Sequence, residues 1–224
     1  MDLLLLSIAT TYLPAYLEGA RMTILLSLGA GVVGIPAGAL IGLVSIRFKW
    51  TVAPFVALGG FILCNVPLLV VLLWCHYPLQ EFTSTRIEPT LLALILLSML
   101  AALLSATCVR REYRALPRRY LAAAQVCGVP HRRFLLRVQL PLLAARLIPW
   151  FLLYQIVVLH SSVMTSMISV EELFRTAQRV TMSTYRPIEA YSIAGVIFLL
   201  ICLPLNISAH YLRRYASNKG LLER

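Results

Sequence analysis

The sequence predicts an all-α integral membrane protein with five transmembrane helices, N-terminus outside and C-terminus inside, and three observations carry that prediction. The composition is 60% hydrophobic and only 13% charged, with a mean hydropathy of +0.83, which leaves too little polar surface to coat a soluble fold. Uncharged runs at residues 22–46, 50–76, 89–109, 147–170 and 190–209 each approach or exceed the roughly 20 apolar residues that a helix needs to cross a bilayer. Basic residues gather in alternate connections. Residues 47–49, 110–141 and 213–224 hold fourteen Lys and Arg against two acids, whereas the opposite side holds five Arg against seven acids. Basic loops stay on the cytoplasmic side, so this alternation sets the orientation.

The same placement excludes another class. A net charge of +11 would suit nucleic acid on a basic soluble surface, but these charges fall in short loops between apolar runs, and no nucleic-acid partner is expected. Cys64, Cys75, Cys108, Cys127 and Cys202 show no paired or metal-ligand spacing and read as small apolar packing residues. No cleavable signal peptide is expected at the start, where Asp2 flanks a very short apolar core.

Residues 1–21 are mixed in polarity, contain Pro14 and read as a segment outside the first span. The first span, 22–46, repeats Gly34, Gly38 and Gly42 at every fourth residue, with Ala30 one step earlier. Such a row lies on one helix face and lets a second helix approach closely. Pro36 in the same span is expected to bend it. Arg47 and Lys49 form a basic turn, and the second span, 50–76, carries Pro54 and Pro67. A polar external loop with Glu81, Arg86 and Glu88 leads to the third span at 89–109. The fourth, at about 143–165, turns polar at its end, and Arg146 stands at its start. Residues 171–189 are mixed in charge and read as an amphipathic external loop or short helix before the fifth span at 190–209 and a basic tail. The whole of 1–224 is read as one transmembrane domain.

Residues 110–141 are the most charged stretch, with eight Arg and Glu112 alone as acid. Pro117 suits a helix start, and Gly128 and Pro130 suit a stop. Between them Leu121, Ala124 and Gly128 share one face, with Arg118 and Arg119 flanking it. Small residues there let a partner surface come close. Residues 131–140 read as a second amphipathic helix, with Arg133 and Arg137 one turn apart and Pro141 marking re-entry into the membrane. Two readings stand side by side: a docking element for a cytoplasmic partner, or a basic loop held by anionic membrane lipid.

At these residues the chain resembles a known family. Residues 117–141 are similar to the cytoplasmic loop of bacterial ABC-importer permease subunits, whose signature is Glu-Ala-Ala, a Gly a few residues later and a Leu-Pro beyond. Ala123, Ala124, Gly128, Leu140 and Pro141 stand at those positions, and Ala122 takes the place of the Glu. Residues 16–23 (YLEGARMT), 65–70 (NVPLLV, without the usual Arg-Gly before the proline) and 158–177 extend the resemblance to the polar-amino-acid branch. In the last of these Ile168, Val170, Glu172, Leu173, Arg175 and Ala177 agree, while His160 and Ser161 replace a usual Lys-Asp pair.

The resemblance implies a multi-pass subunit of the bacterial inner membrane that works with an ABC ATPase dimer, a second permease subunit and a periplasmic substrate-binding protein. The loop would be a coupling element seated on the ATPase, through Arg118, Arg119, Leu121, Ala123, Ala124, Gly128 and Pro141. The function implied is import of a polar amino acid. Import of an opine or other amino-acid derivative, and a non-transporting membrane scaffold, are the alternatives. The position of a substrate-facing acid corresponds to Ser161: either a partner permease in a heterodimer supplies that contact, which is the favoured reading, or the substrate is not a basic amino acid.

Catalytic residues, metal ligands and cofactors are not expected, because the sequence has no G-x-x-x-x-G-K-[ST] loop, nucleophile–base pair or metal cluster. Any ATP hydrolysis would belong to a partner. Polar residues inside spans are costly and so mark a candidate substrate pathway: Asn65, Gln155, His160, Ser161 and Ser162. Hydrogen bonding between helices is the alternative role for each.

Overall fold

The computed structural model of the chain describes residues 2–116, 126 and 128–218. Among these residues the secondary structure is helical throughout, without a strand. Four stretches are long and apolar enough to cross a membrane: Thr10–Arg47, Pro89–Arg114, Arg132–Ile168 and Pro187–Tyr215. A shorter apolar stretch, Val52–Ile62, accompanies them.

The helices are α1 (Asp2–Arg47), α2 (Val52–Asn65), α3 (Leu68–His76), α4 (Pro78–Thr83), α5 (Pro89–Arg114), α6 (His131–Phe134), α7 (Leu140–Ser162), α8 (Leu173–Thr184) and α9 (Pro187–Asn218). A π turn, Leu135–Gln139, joins α6 to α7, and a 3-10 turn, Val163–Ile168, extends α7.

Three expectations are corrected here. Residues 1–21 are not a separate external segment, because α1 is one helix of 46 residues that runs through Pro14 and Pro36. At 1.5 Å per residue it is about 69 Å long, more than twice a hydrocarbon core of about 30 Å. Its early turns are held by packing: Tyr16 and Ala20 are buried against Leu173, Ala177 and Val180 of α8 and Ala190, Ile193 and Ala194 of α9. The second apolar run is not one helix. Val66 and Pro67 are both extended, at φ −103°, ψ 121° and φ −57°, ψ 131°, because a proline offers no N–H to the turn before it and drives the preceding residue out of the helical region. Residues 131–140 do not form a helix apart from the membrane. They run through the π turn straight into α7, with Pro141 at the second residue after that turn.

The row of small residues works as expected. A Cβ added at Gly34 would stand 2.3 Å from the Ser98 carbonyl oxygen, at Gly38 2.1 Å from that of Ala102, and at Gly42 2.7 Å from Cβ of Val109. Backbone therefore packs on backbone along the α1–α5 seam. Ala30 is fully buried in the same seam, among Leu92, Leu96, Leu97 and Ala101. The amphipathic segment near residues 171–189 is a helix, α8. Glu172 caps its start with a side chain that accepts from the N–H groups of Phe174 and Arg175, and Tyr185 ends it in the left-handed region at φ 55°.

Candidate functional site: two buried polar ties and the loop between them

Thr23 and Leu43 are 20 residues apart on α1, about 30 Å along its axis, which is the thickness of a bilayer core. A polar cluster sits at each of these levels.

At the Thr23 level, Glu172 is fully buried. Its Oε1 accepts from Arg175 N–H at 2.8 Å and its Oε2 from Phe174 N–H at 2.9 Å. The Thr23 hydroxyl accepts from Leu173 N–H at 3.0 Å and lies within donating distance of Glu172 Oε2 (3.3 Å) and the Gly19 carbonyl (3.0 Å). Burial pushes the Glu172 carboxyl up from 4.5 to about 7, against the opposing pull of its two backbone donors and Thr23. Gly19 permits the approach, since a Cβ there would meet Thr176 Oγ1 at 2.6 Å. One buried carboxyl thus ties the start of α8 to α1.

At the Leu43 level, α5 ends and α7 begins. Glu112 and Arg146 are both buried, and Arg146 Nε stands 3.5 Å from Glu112 Oε2. Arg146 Nη1 reaches the Ala115 carbonyl at 3.5 Å, and Arg111 Nε lies 3.4 Å from Glu112 Oε1. Arg111 and Arg213 both lie over the Trp150 ring, at 4.3 and 5.3 Å from its centre, in cation–π geometry. Arg146 is therefore not a helix-start charge, as its position suggested. It is a buried partner, two turns into α7, that fixes where the chain leaves α5 and re-enters α7.

The loop between those points is described in part. Arg118, Arg119, Leu121, Ala123 and Ala124 lie outside the described residues, and so does the helix expected around them. Gly128 has φ 65°, and a Cβ there would meet nothing within 4 Å, so its backbone conformation and not its lack of volume accounts for a glycine. Pro141 is exposed in the first turn of α7.

The five candidate pathway residues lie on two helices, Asn65 on α2 and the other four on α7. Asn65 is exposed on α2 and donates to the Phe61 carbonyl of its own helix at 2.7 Å. Ser161 donates to Val157 O and buried Ser162 to Leu159 O, both at 2.8 Å within α7. His160 is exposed toward α9, with Nε2 3.5 Å from Cys202 Sγ. Gln155 ties α7 to α1: its Nε2 donates to the Ser27 carbonyl at 2.8 Å. A Cβ on Gly31 would fall 1.9 Å from Gln155 Oε1, so that glycine makes the room. Among the described residues no His, Cys, Asp and Glu cluster could hold a metal ion.

The helical arrangement has counterparts. A model of the family described as the binding-protein-dependent transport system inner membrane component matches residues 34–217. The chain belongs to this family. As a permease of that family it is a transport subunit of the inner membrane, and such subunits work with an ATPase and a substrate-binding protein. It is 24% identical over 209 residues to a glutamate/aspartate import permease of Escherichia coli O6:H1, spanning 90% of this chain and 93% of that one. It is 26% identical over 207 residues to a glutamine transport system permease of Escherichia coli K12, again over 90% and 93%. The fold superposes with a TM-score of 0.82 on a chain of a solved amino acid ABC transporter, at 24% identity, covering 92% of this chain and 96% of that chain.

Sequence reasoning missed the two ties. Glu112 and Arg146 each stood out as a lone charge, one among arginines and the other in an apolar run. Thr23 and Glu172 lie in separate stretches, 149 residues apart, with no local pattern that couples them.

Proposed function

We propose that the chain is the membrane permease subunit of an ATP-driven importer for a polar amino acid. The observation that carries this reading is the match along nearly the full length to permeases named for glutamate/aspartate and for glutamine. The chain crosses the membrane five times with the N-terminus outside, and the broken α2–α3 pair supplies the second crossing. Charge distribution supports that orientation. The basic loop then faces the cytoplasm and seats on the ATPase dimer through Arg118, Arg119, Leu121, Ala123, Ala124, Gly128 and Pro141. Closure of the ATPases pulls on the loop, and the buried Glu112–Arg146 tie at its root passes that pull to α5 and α7 as a rigid pair. The bundle switches between two states that nucleotide biases from one end and the loaded binding protein from the other.

Asn65, Gln155, His160, Ser161 and Ser162 are the polar groups of this subunit nearest in kind to a pathway. Their scatter over α2 and α7 supports a heterodimer in which a second permease completes the substrate contacts. The opine and scaffold readings are not favoured. Uptake of radiolabelled amino acids by cells with and without this subunit tests the function, with octopine in the same panel. Loss of uptake of one or a few polar amino acids is expected on deletion. Unchanged uptake across the panel would overturn the reading. Ala124→Glu and Gly128→Arg test the coupling: each is expected to abolish both uptake and co-purification with the ATPase, and retention of both would remove the loop from that role.

A further inference from the structure

We infer that the niche between the ends of α1 and α5 and the start of α2 is a binding site for the phosphate group of an anionic phospholipid. It is a cavity of about 250 Å³ lined by Ser45, Ile46, Lys49, Ala53, Arg110, Tyr113 and Arg114. Three of these seven side chains are cationic, and the lining contains no carboxylate. The nearest acid in sequence, Glu112, is already engaged by Arg111 and Arg146. Lys49 and Arg114 make no ion pair among the described residues. Three cations that line one cavity, with no carboxylate in the lining, call for an anion.

The niche is held in shape. Arg110 Nη1 donates to the Ala53 carbonyl at 2.7 Å, a tie across 57 residues that pins the guanidinium against α2. A guanidinium carries five N–H donors in a planar fork suited to phosphate oxygens, and this tie occupies one of them. Ser45 is buried at the base, donating to Gly42 O at 2.6 Å. At about 30 Å³ per liquid water the cavity has room for roughly eight waters, ample for a phosphate ester.

Depth and surroundings select a lipid as the carrier. Trp50, beside Lys49, is 93% exposed and Phe48 is 55% exposed, the amphipathic and apolar rings that mark the headgroup level of a membrane. From the niche α2 presents exposed Phe55, Leu58, Phe61 and Ile62 in succession, an apolar strip along which acyl chains can lie. Basic pockets between helices at this level are suited to anionic headgroups. Such a site would bind whichever leaflet this end of the bundle faces, so it does not depend on the transport reading.

The full chain in phosphatidylcholine nanodiscs doped with phosphatidylglycerol provides the test, with retained lipid counted by native mass spectrometry after release. Phosphatidylglycerol is expected to be retained in preference to phosphatidylcholine. Lys49→Gln with Arg114→Gln is expected to lower that preference roughly tenfold or more, whereas Arg132→Gln with Arg214→Gln, the same loss of charge elsewhere, leaves it unchanged. Lys49→Arg with Arg114→Lys keeps the charges and is expected to keep the preference, which separates lost binding from lost folding. Equal loss in both Gln pairs would reduce the effect to bulk charge and overturn the site. Inorganic phosphate is added in a second arm. Displacement of phosphatidylglycerol by millimolar phosphate would assign the niche to a free anion and overturn the lipid; no displacement is expected.

Discussion

Two carboxylates are buried about one bilayer thickness apart, and they are held by opposite means. Glu112 is met by charge: Arg146 faces it from α7 and Arg111 from its own helix. Glu172 makes no ion pair among the described residues and is met by two backbone N–H groups and a threonine hydroxyl. The difference teaches what each end is built to do. An ion pair in a buried site is a rigid connection as long as both partners stay, because either charge alone is intolerable there. A carboxyl held by neutral donors can gain a proton and stay in place. The end that leads into the basic loop is thus locked, and the opposite end can respond to pH.

The sharpest way to break this comparison is to remove one partner of the ion pair. Arg146→Leu is expected to cost about 3–5 kcal/mol of stability, the usual penalty of a buried uncompensated charge. The midpoint of thermal unfolding in detergent measures it. Glu112→Leu combined with Arg146→Leu should recover most of that loss, since apolar pairs often replace buried ion pairs without cost. A double variant as unstable as the single one would show that the two residues do not act on each other.

The second test acts on Glu172. Its carboxyl is raised from 4.5 to about 7 by burial, so the folded protein holds a proton there that the unfolded chain gives up. The contribution to stability is then fully present below pH 4.5 and is lost as pH rises through about 7. Its size is on the order of 1–3 kcal/mol. Glu172→Gln keeps an oxygen to accept from the start of α8 but cannot titrate. Unfolding midpoints taken from pH 5 to pH 8 should therefore diverge: the wild type loses stability relative to the variant over that interval. Parallel curves would sink the assignment.

Much of the fold could be read from the chain, and the gaps have physical causes. The α1–α5 seam was legible because Gly34, Gly38 and Gly42 carry their meaning in their spacing: one face, no side chains, close backbone approach. The break at Pro67 was half legible. The proline was plain, but Pro14, Pro36, Pro149 and Pro204 sit inside continuous helices, so only packing decides which proline interrupts. The length of α1 was hidden for the same reason, since Tyr16 and Ala20 find their partners on α8 and α9. Neither polar tie could be derived, because each depends on how two helices rotate about their own axes. For the candidate site, Pro141 was placed in the right stretch but not in the right context, as the helix runs through it.

The smallest effect belongs to the tie that uses no charge at all. Gln155 donates to the Ser27 carbonyl in the middle of the bundle, between the levels of Glu172 and Glu112. Hydrogen bonds between helices in membranes average about 0.6 kcal/mol and reach about 1.7, because a released polar group finds other partners. Gln155→Leu should fall within that range in a detergent unfolding experiment, well below either carboxylate variant. The geometry adds a condition. Gly31 is a glycine so that the Gln155 amide can fit, a Cβ there standing 1.9 Å from Oε1. Gly31→Ala should therefore cost more in the wild type than in Gln155→Ala, where the smaller side chain leaves space. If Gly31→Ala costs the same in both backgrounds, the glycine answers to the seam between backbones and not to Gln155, and the tie loses its role in positioning α7 on α1.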